Sequence, residues 1–222
     1  LWIINQLNMI KENKIISVLT IYDSNLAVDL AKCLYDSGIR NLEITLRTKD
    51  AKKAIELILN ADLDLNIGIG TVLNKQDLHF AKKIGSNFGL SPCTDLDLIQ
   101  ESKKINFKFI PGVSNASEIN SCVKLGCEVL KLFPAIQMGG IAYFNSIYSP
   151  FKSNNLKFIA LGGINSGNAK EFIDDNNFVG VGASWIADDN LIKKRDWKEI
   201  TRRANNIPVS YTHLRAHETQ TH

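Results

Sequence analysis

Eight short apolar runs recur at regular intervals along the chain, with amphipathic segments between them. They lie near residues 15–20, 41–47, 65–70, 87–91, 107–111, 127–133, 156–161 and 178–182. Runs of this length are typical of buried strands, and strands that alternate with helices favour right-handed βαβ units and a parallel sheet. Eight such units predict an α/β fold, a (β/α)8 TIM barrel that forms a single domain over residues 14–207.

The main alternative is an open, doubly wound sheet that binds a dinucleotide. That fold predicts the motif GxGxxG directly after an early strand. The corresponding segment is Gly68-Ile69-Gly70-Thr71-Val72-Leu73, which lacks the third glycine. The sequence therefore favours the closed barrel.

Glycine, proline and polar residues mark the predicted ends of the elements. Gly38, Gly85 and Gly126 each follow an amphipathic segment and precede an apolar run, where a helix commonly ends on a left-handed residue. Pro111 is expected to stop its strand, because proline has no N–H donor. Three helix starts are predicted from an Asn or Thr followed three residues later by an acidic residue. They are Asn74-x-x-Asp77, Thr94-x-x-Asp97 and Asn115-x-x-Glu118.

The two ends of the chain are assigned separately from the barrel. Residues 1–13 are expected to form an N-terminal extension, in which a short helix over residues 4–12 closes the bottom of the barrel. Residues 208–222 hold three of the four histidines and have almost no apolar periodicity. We therefore expect an unstructured tail that is not native to the fold, and no metal site in it.

Composition and charge exclude several classes of protein. The chain of 222 residues is 45% hydrophobic and 22% charged, which suffices for a sizeable core. Its net charge is +3, and the basic residues are scattered along the chain without forming one basic run. No nucleic-acid partner is therefore expected. No apolar run approaches the ~20 residues that span a bilayer, and the N-terminal residues do not resemble a secretory signal. A cytoplasmic location is expected, with no membrane contact.

The cysteines support the same location. None of the four forms a CxxC motif, and we expect four free thiols that are buried or half-buried in a reducing compartment. They are Cys33, Cys93, Cys122 and Cys127.

The second apolar run carries an unusual polar stripe. In a strand the side chains alternate between faces, so Leu42, Ile44 and Leu46 would face the helices. The other set, Glu43, Thr45 and Arg47, would then point into the barrel. Strands of a parallel barrel are covered on both sides and are usually apolar throughout, so a charged inner stripe indicates function. The alternative is an edge strand with one face in water.

Lys131 is another charged residue in an otherwise apolar strand, since it stands among apolar residues in the sixth run. An interior ammonium group loses hydration, which favours the free amine, a nucleophile. A lysine alone would more commonly extend to the rim. Together with Glu43 and Arg47 it forms a set for carbonyl chemistry: an amine for a Schiff base, a carboxylate for proton transfer and a guanidinium for a substrate carboxylate.

Two glycine-containing segments follow the last two strands, where such barrels often bind phosphate through backbone N–H groups. They are Leu161-Gly162-Gly163-Ile164-Asn165 and Val181-Gly182-Ala183-Ser184-Trp185. Either segment alone could be only a tight turn. Both at the expected strand ends predict a phosphate site.

Six ordered motifs resemble those of the 2-keto-3-deoxy-6-phosphogluconate (KDPG) aldolases, which often also cleave 4-hydroxy-2-oxoglutarate (KHG). The resemblance extends from about residue 4 to residue 206. The motifs are Leu42-Glu43-Ile44-Thr45-Leu46-Arg47-Thr48, Gly68-Ile69-Gly70-Thr71-Val72-Leu73, Phe88-Gly89-Leu90-Ser91-Pro92, Ile110-Pro111-Gly112-Val113, Leu130-Lys131-Leu132-Phe133-Pro134-Ala135 and Leu161-Gly162-Gly163-Ile164.

The resemblance implies a class I aldolase on a (β/α)8 barrel, without metal or other cofactor, acting on a small keto acid and usually homotrimeric. By motif position, Lys131 would form the Schiff base and Glu43 would be the general acid and base. The remaining roles implied by motif position are Arg47 and Thr71 on the pyruvyl carboxylate, Pro92 and Phe133 as pocket walls, and Gly162, Gly163 and Ser184 on the phosphate.

Leu161, Ala183 and the segment 136–138 depart from the family pattern, and Leu161 replaces a common threonine. These departures leave the substrate open between phosphogluconate, phosphogalactonate and hydroxyglutarate types. Two further hypotheses also remain. One is a phosphate-binding barrel isomerase or epimerase with Glu43 as its base, which predicts no covalent adduct with pyruvate. The other is a non-catalytic barrel, because a fold alone does not guarantee activity.

Overall fold

The computed structural model describes residue 10 and residues 13–207. Nine parallel strand segments form one sheet, in the order β5-β4-β3-β2-β1-β9-β8-β7-β6. The strands are β1 (Ile15–Leu19), β2 (Asn41–Thr45), β3 (Asn66–Gly70), β4 (Phe88–Leu90), β5 (Phe109–Ile110), β6 (Gly112–Val113), β7 (Val129–Leu132), β8 (Lys157–Ala160) and β9 (Phe178–Gly182).

Helices follow the strands and cover the outside of the barrel. The α-helices are α1 (Ala27–Asp36), α2 (Ala51–Leu59), α3 (Lys75–Lys83), α4 (Leu96–Lys104), α5 (Ala116–Lys124), α6 (Gly140–Tyr148), α7 (Ala169–Ile173), α8 (Asp189–Lys194) and α9 (Trp197–Asn205), with 3-10 turns at Ser24–Leu26 and Ser149–Asn154. Across residue 10 and residues 13–207, no helix has the length and apolar character needed to cross a membrane.

The eight predicted runs are confirmed, with one difference in the fifth. Pro111 does not end that strand but divides it into β5, which pairs with β4, and β6, which pairs with β7. Proline cannot donate to the ladder, yet its carbonyl oxygen accepts from the Lys131 amide at 2.9 Å. The two segments are therefore halves of one strand position, and the predicted (β/α)8 barrel is confirmed.

Two apolar clusters occupy the inside and the outside of the barrel wall. The larger one lies between the strands and the helices and includes Leu42, Ile44 and Leu130. The smaller one fills the barrel interior. Its buried members are Ile16, Phe88, Leu90, Ile110, Val129, Ile159 and Leu161. The alternation predicted for β2 is thus confirmed on its apolar side, since Leu42 and Ile44 face the helices.

The predicted helix ends are confirmed at Gly38, Gly85 and Gly126, which have φ angles of 84°, 80° and 66°. The helix starts at Asn74 and Asn115 are also confirmed, as both side chains accept an N–H of the first turn. The predicted start at Thr94 is wrong. Asp95 caps α4 by accepting from the Leu98 amide, because the Thr94 hydroxyl donates instead to the Gly112 carbonyl at 2.7 Å.

All four cysteines have free thiols, but the prediction that each is buried or half-buried is wrong for Cys93. Cys93 is exposed because it lies in the loop after β4, at the open end of the barrel. The helix predicted over residues 4–12 and the tail predicted over residues 208–222 lie outside the described residues, apart from residue 10. The division into an extension, a barrel and a tail stays a prediction.

Candidate active site

Lys131 and Glu43 meet inside the barrel. The Lys131 Nζ atom donates to Glu43 Oε1 at 3.3 Å, and the two side chains are only 4% and 1% exposed. Their strands, β7 and β2, lie on different sides of the barrel. Both side chains point inward because alternate residues of a barrel strand do so. The structure therefore brings together the amine and the carboxylate that the sequence singled out.

Two glycines of β3 make room for neighbouring side chains inside the barrel, one of them Glu43. A Cβ atom on Gly70 would lie 2.1 Å from Glu43 Oε1, and one on Gly68 would lie 2.0 Å from the Phe88 ring. Neither distance is compatible with a side chain in place. Gly70 thus serves the packing of Glu43 and Gly68 that of Phe88.

Glu43 Oε2 is buried and has no hydrogen-bond partner among the described residues. A buried polar atom without a partner is costly, typically by about 1–3 kcal/mol. Such an atom accepts a hydrogen bond or a proton readily from a molecule bound beside it. The carboxylate therefore has one oxygen on Lys131 and one available for a ligand.

Phe133 packs beside the amine. The Lys131 Nζ atom lies 5.2 Å from the centroid of the Phe133 ring, within the range of a cation–π contact. Val129 belongs to the interior cluster and Phe133 packs against it, so both lie on the same inner side of the barrel as Lys131. Pro92 is half-buried and follows β4 at the same end of the barrel.

Arg47 and Thr71 form a second polar pair at the open end of the barrel. The Arg47 Nε atom donates to Thr71 Oγ1 at 3.2 Å. Arg47 is exposed, because β2 ends at Thr45 and Arg47 lies above the barrel interior. Thr71 has a φ of 61°, which is unfavourable for a β-branched residue and is typical of functional sites.

A cavity of about 400 Å³ opens at this end. Val18, Thr20, Arg47 and Ser184 are among the residues that line it. The guanidinium of Arg47 and the hydroxyl of Ser184 therefore face one cavity from different strands. Asp188 and Asp189 also line it and add negative charge.

Gly162 and Gly163 follow β8 at the same end, with φ angles of 95° and 74°. Their carbonyl oxygens accept from the Ile136 amide and the Asn168 side chain. Within the described part of the chain, neither glycine amide donates a hydrogen bond. Successive N–H groups in a turn can form a concave anion site, and the phosphate role of this loop stays a prediction.

Arg203 ties the loop that carries Ser184 to helix α9. Its Nη1 atom donates to the Trp185 carbonyl at 2.6 Å and to Asp188 Oδ2 at 2.9 Å. Burial acts to raise the pKa of Asp188, but the hydrogen bonds from the Leu191 amide and Arg203 lower it below its ordinary value. No sequence pattern marks Arg203, because its contact is to a carbonyl 18 residues away.

Thr20 was also missed, although a signal was present. Ile16, Val18 and Thr20 alternate along β1 and its end, so that Thr20 continues the inner face. The described residues contain no group of three or more His, Cys, Asp or Glu side chains that could hold a metal ion.

Comparison with known proteins agrees with the resemblance. The model of the KDPG and KHG aldolase family matches residues 6–203. A 2-dehydro-3-deoxy-phosphogluconate aldolase from Pseudoalteromonas atlantica is 35% identical over 203 residues, which cover 91% of this chain and 94% of that protein. A KHG/KDPG aldolase from Escherichia coli is 30% identical over 203 residues, with the same coverage of 91% and 94%.

A solved structure has the same fold and a related sequence. It is a KDPG aldolase from Legionella pneumophila with pyruvate captured as a covalent carbinolamine intermediate. The two chains are 34% identical and superpose with a TM-score of 0.86, over 91% of this chain and 98% of that one. The chain belongs to the KDPG and KHG aldolase family.

Proposed function

We propose that this chain is a class I aldolase that cleaves KDPG to pyruvate and glyceraldehyde 3-phosphate, KHG to pyruvate and glyoxylate, or both. The observation that carries the proposal is the buried contact of 3.3 Å between Lys131 Nζ and Glu43 Oε1 inside a (β/α)8 barrel. The Legionella relative, captured with a covalent pyruvate carbinolamine, supports the same chemistry.

The first step is formation of a Schiff base on Lys131. Transfer of its proton to Glu43 along the existing hydrogen bond gives a neutral amine, which attacks the C2 ketone of the substrate. Loss of water from the carbinolamine gives a protonated imine. Glu43, protonated at this point, supplies the proton that the departing hydroxyl needs.

The second step breaks the C3–C4 bond. Glu43 accepts the proton of the C4 hydroxyl, the aldehyde leaves, and the bonding electrons move into the imine to give an enamine. Protonation at C3 and hydrolysis then release pyruvate and return the free amine. Because the imine holds the electrons, the proposed reaction requires neither a metal nor another cofactor.

The ends of the substrate are assigned to the two polar groups at the barrel mouth. Arg47 and Thr71 would bind the pyruvyl carboxylate, and Pro92 and Phe133 would wall the pocket. The phosphate would be bound by Gly162, Gly163 and Ser184. The support is the Arg47–Thr71 hydrogen bond and the available amides of the two glycines.

The test is incubation with pyruvate and sodium borohydride, followed by intact mass and peptide mapping. We expect one reduced adduct on Lys131. Lys157→Met is a suitable control variant, since Lys157 Nζ binds the Asn176 carbonyl and should not affect adduct formation. Protein that binds sugar phosphates without any adduct would favour an isomerase or epimerase instead.

Two finer proposals accompany the reaction. The substrate could instead be the phosphogalactonate epimer, and cleavage rates of both epimers decide between them. We also propose a cytoplasmic homotrimer: light scattering of the purified chain tests the trimer through its molar mass, and cell fractionation tests the location.

A further inference from the structure

We propose that Thr20 determines substrate specificity by accepting a hydrogen bond from the C5 hydroxyl of KDPG, which lies on the carbon next to the one that becomes the aldehyde. This inference rests on the proposed function, and it identifies how a hydroxylated aldehyde would be distinguished from one without that hydroxyl.

Thr20 lies between the two ends of the proposed substrate site. It lines the same cavity as Arg47, assigned to the carboxylate, and Ser184, assigned to the phosphate. It continues the inner face of β1 above Val18, whose Cα is paired with that of Glu43. A substrate that spans from Arg47 to Ser184 would therefore pass the Thr20 side chain.

The hydrogen-bond contacts of Thr45 favour one direction for the Thr20 hydroxyl. The Thr45 hydroxyl donates to the Leu19 carbonyl at 3.2 Å, and the Thr20 and Thr45 oxygens are 3.2 Å apart. A hydroxyl has one proton and two lone pairs. Either hydroxyl could donate across this contact, but both contacts are made together only when Thr45 donates to the Leu19 carbonyl and Thr20 donates to Thr45. The Thr20 oxygen then presents only lone pairs to the cavity and needs a donor.

The wall of the barrel interior formed by Leu161 and Val18 is apolar. Leu161 and Val18 approach each other over Gly182, where an added Cβ would lie 2.4 Å from Leu161 Cγ and 3.1 Å from Val18 Cγ2. Leu161 belongs to the apolar interior cluster. A substrate hydroxyl that faced Leu161 would lose a hydrogen bond, so the polar side of the substrate should face Thr20.

This arrangement selects for a specific chemical group. A substrate hydroxyl can donate to Thr20, whereas a carboxylate at the same place presents only acceptors. Because Glu43 takes the C4 hydroxyl proton in the proposed reaction, the group left for Thr20 is the next hydroxyl, at C5 of KDPG. KHG has a carboxylate there. Thr20 therefore favours KDPG over KHG.

The experiment measures condensation of pyruvate with two aldehydes that differ only in this hydroxyl. These are glyceraldehyde 3-phosphate and 3-oxopropyl phosphate, and the readout is the ratio of their kcat/KM values. We expect the wild-type chain to prefer the hydroxylated aldehyde by roughly fivefold to tenfold, as for one hydrogen bond. Thr20→Val should reduce the ratio to near one, and Thr20→Ser should retain it.

Two results would overturn the proposal: a wild-type chain that does not discriminate, or a Thr20→Val variant that keeps the wild-type ratio. A folding defect in Thr20→Val would lower both kcat/KM values together and leave the ratio unchanged, so the ratio separates recognition from stability. Failure of the proposed function is distinct, because the wild type would then give no borohydride adduct with pyruvate and no condensation with either aldehyde.

Discussion

Glu43 occupies space that any side chain on Gly70 would need. A Cβ atom at position 70 would lie 2.1 Å from Glu43 Oε1 and 2.8 Å from Glu43 Cγ. The two residues are on neighbouring strands, with Thr45 paired to Gly70 in the register. The absence of a side chain at one position of β3 thus fixes where the proposed acid and base can lie.

We therefore expect Gly70→Ala to displace the carboxylate while the barrel still folds. A shift of about 1 Å in a catalytic group can lower the rate by about a hundredfold, so kcat for KDPG cleavage should fall by roughly tenfold to a hundredfold. Steady-state kinetics and circular dichroism check activity and folding. The matched control is Gly180→Ala in β9, whose Cβ would lie 3.2 Å from the flexible end of Ile16. Equal losses in both variants would contradict the explanation.

Removing only one member of the buried pair Lys131–Glu43 should lower the free energy of unfolding. Removing one partner of a buried ion pair leaves an uncompensated charge and costs about 3–5 kcal/mol. We expect Lys131→Met and Glu43→Leu each to lower the free energy of unfolding by this order, and the double variant to lie near the wild type. Urea unfolding of the three variants gives the coupling. Additive losses would show that the two side chains do not interact.

The sequence was sufficient to predict the barrel fold and to predict which side chains of β2 point into it. Apolar runs located every strand position, and the alternation in β2 placed Glu43 inside, where it is 1% exposed. The contact between Glu43 and Lys131 could not be predicted from alternation alone, because it joins residues 88 apart. Their meeting depends on the register of the closed barrel.

Other features could not be predicted because they depend on local competition or distant partners. Thr94 and Asp95 are both capping residue types, and Asp95 caps α4 only because Thr94 finds a partner in Gly112. Pro111 matched a strand-ending signal, yet its carbonyl keeps the ladder to β7 continuous. In both cases a neighbouring strand decided between two outcomes that the local sequence allowed.

The link from Arg203 to the loop of Ser184 predicts an effect on phosphate binding. Arg203→Met removes the bonds to the Trp185 carbonyl and to Asp188, so the loop should lose its fixed position. We expect KM for KDPG to rise by about fivefold to tenfold, on the scale of a charge-assisted hydrogen bond, with kcat nearly unchanged. KM for KHG, which has no phosphate, should change little.

Arg202→Met is the matched control for this prediction. Arg202 lies beside Arg203 on α9, and among the residues that the structure describes its hydrogen bonds go to Glu199. The control should leave both KM values unchanged. A rise in KM for KDPG and KHG alike in Arg203→Met would indicate a general loss of structure instead of a specific loss of phosphate binding.

Protonation of Glu199 should lower the stability of the folded protein at acid pH. Hydrogen bonds from Arg202 and Arg203 lower the pKa of Glu199 from 4.5 to about 2. A carboxyl group whose pKa is lower in the folded than in the unfolded state stabilises the folded protein. Its contribution is complete at a pH above the unfolded-state pKa and is lost as the pH falls through the folded-state pKa. Stability should therefore decrease between about pH 4.5 and about pH 2, and Asp188, whose pKa is also lowered, acts in the same direction.

The measurement is the urea midpoint of unfolding from about pH 6 to about pH 2. Glu199→Gln should show a shallower decrease than the wild type, because the titrating group is gone. The effect should weaken as salt is added, since the cluster is at the surface and is screened. Glu56→Gln, an exposed position on α2, is the control. If Glu56→Gln and Glu199→Gln flatten the profile equally, the decrease reflects the total charge of the chain and not the Glu199 cluster.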